Sequence, residues 1–342
     1  MAQKENKKIN LRTAIIAGLV LVGTAFLFGR FTRASVHVES FGNTAEGLIE
    51  QRENSKADAG NHFTNPLLQC DSIENLSNKL IGNLKNAVTD FLNNDKTSDS
   101  PSHVAVYFRD LNNGPWFGIN EKENFTPGSL LKVPLMLTIF KVAEEDPSIL
   151  DKKVLYESGK DFTKQYFRPE KEVKEGNLYS VLELMESMIE YSDNNAALLL
   201  SQLVNKDALA KSYEELGIIS PTATTTEYQM PVRMYASFFR ILFNASYINR
   251  SFSERALQIL SQSKFDTGLR AGIPKKIVVA HKFGERLSED EGTAQLHDCG
   301  IVYFPKHPYL LCVMARGKNF ESLAKIIAGI SRTIYENIEK AY

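Results

Sequence analysis

Apolar residues follow three rhythms along this chain, and their order predicts how it is organised. The first rhythm is an unbroken run: Thr13 to Gly29 (TAIIAGLVLVGTAFLFG) is seventeen uncharged, mostly apolar residues, the length of a short bilayer-crossing helix. From Ala34 to Cys70 large apolar positions thin out and Asn, Glu, Gly and Ser accumulate, which is the composition of a tether. Beyond that, Leu76, Leu80, Leu84 and Val88 fall at helical spacing and open a folded part expected over residues 71–342.

Within the folded part the rhythm changes to a period of two. HVAVYFRDL and PWFGI alternate around Asn112-Asn113-Gly114, a hairpin signal. KIVVAHKF, CGIVYF and YLLCVMA near the other end read as three more strands, the last two joined by the turn Pro305-Lys306-His307-Pro308. Between these ends the period is 3.6: VPLMLTIFKVAEE, YSVLELMESMIEYS, NAALLLSQLV, DALAKSYEELG, VRMYASFFRILFNAS and SERALQILSQS carry apolar stripes, as does the terminal FESLAKIIAGISRTIYENI. Strands from both ends can share one sheet. The fold class expected is therefore α/β of the α+β kind: an antiparallel five-stranded sheet flanked by N- and C-terminal helices, with an all-helical lobe beside it.

Charge adds a location to this picture. The net charge of −1 over 342 residues gives no electrostatic reason to expect a nucleic-acid partner. The first 33 residues nevertheless hold six basic residues against Glu5, a local +5. Four of the six precede the apolar run, so the basic-side rule puts the N-terminus in the cytoplasm and everything after Arg33 outside. Residues 1–33 are expected to be a cytoplasmic stub and uncleaved membrane anchor, 34–70 a flexible linker, and the folded part a monomer. Leu67-Leu68-Gln69-Cys70 lies too far along to be read as a lipid-attachment signal. Cys299 and Cys312 share one face of a hairpin and are read as buried thiols to which a disulfide is geometrically open. No Cys or His spacing suits a metal, and no cofactor is implied.

Candidate chemistry starts from Gly128-Ser129-Leu130-Leu131-Lys132. S-x-x-K also occurs at Ser261–Lys264 and Ser322–Lys325, but only the first copy has Ser192-Asp193-Asn194 and Lys282-Phe283-Gly284 behind it in order. Residues three apart on a helix share a face, so the Lys132 amine can reach the Ser129 hydroxyl. A serine is a weak nucleophile until a base takes its proton, and a lysine desolvated or crowded by a second cation such as Lys282 has its pKa lowered enough to serve. Pro127 and Gly128 lead into the helix, which leaves the Ser129 N–H as an orphan donor for an oxyanion.

These residues, FTPGSLLKVPLM, YSDNNAALLL and LRAGIPKKIVVAHKFGE, resemble the class A β-lactamases and the wider group of penicillin-recognising serine enzymes, from about Asp71 to the C-terminus. The resemblance implies that Ser129 is acylated, Lys132 is its general base, Ser192 shuttles a proton, Asn194 binds the substrate amide and Lys282 meets the substrate carboxylate. It also implies that Asp193 holds the loop and that the Gly284–Glu285 strand lines the substrate, with the Glu285 N–H as second oxyanion donor. The substrates implied are β-lactams or the peptide stems of peptidoglycan.

Two departures bear on that expectation. The family's deacylating glutamate lies in an E-x-x-x-N pattern on a long loop; here the interval after Gly217, IISPTATTTEYQ, is short and its single acid, Glu227, has no Asn four residues on. Glu227 is read as a doubtful base, and general-base assistance is commonly worth about 10² to 10⁴ in rate. Phe283 stands where the family has Thr or Ser, removing a hydroxyl for the substrate carboxylate. Slow or altered deacylation is expected, and a binding module without turnover is the alternative. His281 and His297 are read as neutral buried or surface residues without a catalytic role.

Overall fold

A computed structural model describes residues 63–65, 76–94, 100–112, 114–158, 165–219, 228–288 and 292–342. The apolar run 13–29, Cys70 and Glu227 lie outside the described residues. Among the described residues no helix is long and apolar enough to cross a membrane.

In chain order, helix α1 (Asn78–Asn94) leads to strands β1 (His103–Asp110), β2 (Trp116–Ile119) and β3 (Asn124–Phe125). A 3₁₀ turn, Gly128–Leu131, then runs into α2 (Lys132–Glu145). The middle of the chain supplies β4 (Lys153–Leu155), β5 (Leu178–Ser180), α3 (Val181–Glu190), α4 (Asn194–Leu203), α5 (Lys206–Glu215), β6 (Met230–Pro231), α6 (Val232–Phe243) and α7 (Arg250–Leu260). The chain closes with β7 (Val279–Ser288), β8 (Thr293–Val302), β9 (Tyr309–Gly317) and α8 (Phe320–Glu339).

The strands from the two ends do join. The five-stranded sheet has the order β2-β1-β9-β8-β7 and is antiparallel throughout, with Val106 opposite Val313 and Gly284 opposite His297. Period-two alternation explains why both faces are apolar: Val104, Val106 and Phe108 pack with α1 and α8, while Ala105 and Tyr107 belong to the core of the helical lobe. On β9, Leu311 and Val313 face the terminal helices and Leu310 and Met314 the lobe. Fully buried side chains of this kind contribute about 1.5–3 kcal/mol each.

Three details differ from the pattern-based reading. β7 and β8 extend to Ser288 and back to Thr293; the strand signal was hidden on β7 by the exposed Arg286 and Leu287 at the sheet edge and on β8 by polar residues that are buried, Gln295, His297 and Asp298. Phe63–Asn65, inside the expected tether, is docked: the Phe63 and Thr64 amides donate to the Glu254 carboxylate at 2.8 and 2.9 Å, and the Asn65 amide donates to the Phe243 carbonyl at 2.7 Å. Finally, Cys299 and Cys312 are disulfide-bonded rather than two thiols. They sit directly opposite each other on β8 and β9, where Cβ atoms of a cross-strand pair come within bonding reach of two sulfurs.

Candidate active site

The turn that carries Ser129 is fixed from two sides. Its carbonyl at Leu130 accepts the buried Tyr235 hydroxyl of α6 at 3.0 Å. Against β7 the approach is so close that a Cβ on Gly128 would lie 2.4 Å from the Glu285 carbonyl, and one on Gly284 would lie 2.4 Å from the Pro127 carbonyl. Gly128 also has φ +54, a left-handed conformation that only glycine adopts freely. Just upstream, the buried His297 Nε2 donates to the Thr126 carbonyl at 3.0 Å. Burial pulls its pKa down to about 4, so the ring is neutral.

Ser129 lies on the 3₁₀ turn and Lys132 at the first position of α2. In a 3₁₀ turn residues i and i+3 eclipse, so the two still share a side. The turn's hydrogen bonding begins at Leu130, whose amide donates to the Pro127 carbonyl at 3.1 Å, leaving the Ser129 amide ahead of it. The Lys132 amide donates back to the Ser129 carbonyl, but among the described residues no side-chain hydrogen bond joins the Ser129 hydroxyl to the Lys132 amine. The Lys132 amine instead donates to the Ser192 carbonyl (2.6 Å), the Ser192 hydroxyl (3.2 Å) and Asn194 Oδ1 (2.7 Å). Burial lowers its pKa to about 7, with the charges of Asp193 and Glu285 pulling the other way.

Ser192 and Asn194 are placed by Asp193. That buried carboxylate caps α4 by accepting the Asn195 and Ala196 amides at 2.8 and 3.2 Å, and it also accepts the Val173 amide at 2.7 Å and the Ser187 hydroxyl at 2.9 Å. Ser192 itself is fully buried at φ +59, a strained setting for a residue with a Cβ. Its hydroxyl accepts from Lys282 Nζ at 2.9 Å, so one oxygen touches both lysines. Lys282 is fully buried, donates also to the Phe283 carbonyl at 3.0 Å, and has its pKa lowered well below the ordinary value by burial and by Lys132.

The cleft in front of these groups has a volume of about 850 Å³, and Ser129, Lys132, Asn194 and Glu285 are on its wall. Phe283 points away from it, stacked on Phe265 at 4.0 Å between ring centres and edge-on to Phe167. His281 is buried and bonded to Asp298 at 2.9 Å, a structural pair behind the sheet edge. One element was missed in the sequence. Gln165, Tyr166 and Phe167 strap the cleft: Gln165 Nε2 donates to the Ser192 carbonyl at 3.3 Å, and the Tyr166 and Phe167 amides donate to the Glu285 carboxylate at 2.8 and 3.2 Å. Burial raises the Glu285 pKa against those bonds. The only signal was an aromatic pair, Tyr166-Phe167, in a polar stretch.

The arrangement holds a hydroxyl on a rigid turn, a buried amine titrating near neutrality and a second hydroxyl bridging two lysines. Among the described residues no cluster of His, Cys, Asp and Glu could hold a metal. Comparison with known proteins gives a match to the model of the family described as "Beta-lactamase enzyme family" over residues 83–338. The chain is 26% identical over 237 residues to the extended-spectrum beta-lactamase PER-1 of Pseudomonas aeruginosa, covering 64% of this chain and 77% of that one. Among solved structures, a beta-lactamase from Chitinophaga pinensis superposes with TM-score 0.64 at 21% identity, over 75% of this chain and 99% of that one. A mutant of PBP-A in acyl-enzyme complex with penicillin G superposes with TM-score 0.62 at 21% identity, over 76% of this chain and 97% of that one. These superpositions establish the fold.

Proposed function

The chain belongs to the beta-lactamase enzyme family, and on that premise we propose that it is a serine hydrolase that opens β-lactams, or the amides of peptidoglycan stem peptides, through an acyl-Ser129 intermediate that is released slowly. The observation that carries this reading is the Ser192 hydroxyl held between Lys132 at 3.2 Å and Lys282 at 2.9 Å. A neutral amine has two protons, enough for the Ser192 carbonyl and Asn194 Oδ1, and one lone pair left for a hydroxyl proton. Lys132, titrating near 7, has that form available at neutral pH. It takes the Ser129 proton as Oγ bonds to the carbonyl carbon; Ser192, backed by Lys282, passes a proton to the departing nitrogen as the C–N bond breaks. The Ser129 and Glu285 amides are the donors for the oxyanion.

The slow-release part of the reading is supported by the cleft wall. Glu285 is the one carboxylate on that wall among the described residues, and it is tied to two strap amides. Membrane attachment through residues 13–29, with the site on the outer face, belongs to the same proposal and rests on the sequence alone. The test is intact-mass spectrometry with a penicillin. A Ser129-dependent adduct that decays slowly is expected; acylation that persists in Ser129→Ala sinks the assignment. Phe283 favours a second reading, a recognition module without turnover, for which muropeptide binding would survive both Ser129→Ala and Lys132→Ala.

A further inference from the structure

Two side chains of β8 reach under the Ser129 turn. His297 lies directly opposite Gly284 in the β7–β8 register, and Gln295 lies two residues back along the same strand, so both stand on the sheet face against which the turn packs. Because Gly284 has no Cβ, the Pro127 carbonyl comes down to 2.4 Å from where one would be, and this brings Thr126 within reach of β8. There the Thr126 amide donates to Gln295 Oε1 at 3.1 Å, and the Thr126 carbonyl accepts from His297 Nε2 at 3.0 Å. The glycine contacts set how near the turn can come to the sheet; these two bonds draw it there. His297 does so at a cost to the fold. Its ring is fully buried, and Nδ1 has no hydrogen-bond partner among the described residues. An unpartnered buried nitrogen makes an imidazole a poorer core residue than a leucine of similar size. What the ring supplies, and a leucine cannot, is the donor at Thr126.

We propose that Gln295 and His297 are positioning residues for the oxyanion pocket: by gripping both main-chain groups of Thr126 from β8, they fix the gap between the Ser129 amide on the turn and the Glu285 amide on β7. This rests on the acyl-Ser129 reading above. Neither side chain acts on the substrate directly. Both act through Thr126, from which only Pro127, whose ring fixes its φ, and Gly128 lead to Ser129. The pair of amides meets a charge that develops in the transition state, so a wider gap slows the acylation step without weakening the complex that precedes it.

The experiment follows acylation of the full-length chain by benzylpenicillin over a range of concentrations, read by intact mass, beside urea unfolding of the same preparations. In His297→Leu the limiting acylation rate is expected to fall about tenfold or more, with the half-saturating concentration and the unfolding midpoint little changed. His297→Gln, which can place an N–H where the imidazole Nε2–H stood, should recover most of that rate. Gln295→Met removes the other bond, and because both bonds hold one residue, the double variant should be slowed by less than the product of the two single effects. If His297→Leu does not fold, Gln295→Met decides by the same split between rate and half-saturation. Unaltered limiting rates in folded variants, or a rate that falls with the unfolding midpoint and is not recovered by glutamine, overturn the positioning role and leave acyl-Ser129 standing. No acylation of the unaltered protein overturns the proposed function and the positioning role with it.

Discussion

Lys132 reaches Ser192 twice, at 2.6 Å from its carbonyl and 3.2 Å from its hydroxyl. The buried amine is thus held by a residue of another element, sixty positions along the chain, whose own backbone is in a left-handed conformation. The nucleophile's partner is positioned by the loop and not by the nucleophile, which ties the chemistry at Ser129 to the integrity of the segment 191–194.

The first consequence is a pH profile. Burial lowers the Lys132 pKa to about 7, and the base form is the one present above that value. Acylation should rise about tenfold per pH unit below 7 and level off above it, measured as second-order rate constants between pH 5 and 9. A flat profile across that range would remove Lys132 as the base. The same shift has a stability sign: an unfolded lysine keeps its proton to about 10.4, so the unfolded state binds more protons between the two values, and this group's contribution makes the fold more stable as pH rises through that window.

Asp193 tunes that base from behind. Its charge raises the Lys132 pKa against burial, and its oxygens satisfy four donors, Val173 and Ser187 on one, Asn195 and Ala196 on the other. In Asp193→Asn one oxygen becomes an NH₂ group, so a pair of buried donors loses its acceptor at a cost of about 1–3 kcal/mol. Two outcomes are expected together: a lower denaturant midpoint, and an acylation profile whose midpoint moves to lower pH because an anion next to Lys132 is gone. An unchanged pH midpoint would mean that Asp193 acts on the loop alone.

Much of this was legible in the chain, for physical reasons that differ by residue. Val104, Val106 and Phe108 advertise β1 because alternate positions share the face packed on the terminal helices, and Ser129, Ser192 and Lys282 could be ordered because each motif is contiguous. The strap was invisible because Gln165, Tyr166 and Phe167 act through backbone amides and a side-chain bond to a distant carbonyl, none of which needs a particular spacing. The cystine was underread for a related reason: Cys299 and Cys312 are thirteen residues apart, and only the register of β8 on β9 makes them neighbours. The burial of Lys282 behind Phe283 depends on a rotamer, which sequence periodicity does not encode.

Ser192 offers a way to separate strain from chemistry. At φ +59 a residue with a Cβ is disfavoured by about 1 kcal/mol relative to glycine. Ser192→Ala and Ser192→Gly both remove the hydroxyl between the lysines, so both should slow acylation by about 10² or more. They should differ in stability: the glycine variant is expected to unfold at higher denaturant, by about 1 kcal/mol, than the alanine variant. Equal stabilities would show that the loop relaxes and that the left-handed setting stores no strain.

Gly128 is the most sensitive small position in the site. An added Cβ would meet the Glu285 carbonyl at 2.4 Å in a residue at φ +54, and neither the backbone of β7 nor the turn can yield cheaply, because Tyr235 pins Leu130 and β8 pins β7. Gly128→Ala is expected to cost about 2 kcal/mol or more in stability. The larger effect should fall on rate, because moving the turn off β7 separates the two amides that would share the oxyanion and shifts Ser129 Oγ, and displacements near 1 Å at a reacting atom are worth about 10². Acylation and urea unfolding of the same preparation check both halves. Loss of stability with undiminished acylation would show that the close contact between Gly128 and Glu285 supports the fold but does not position the nucleophile.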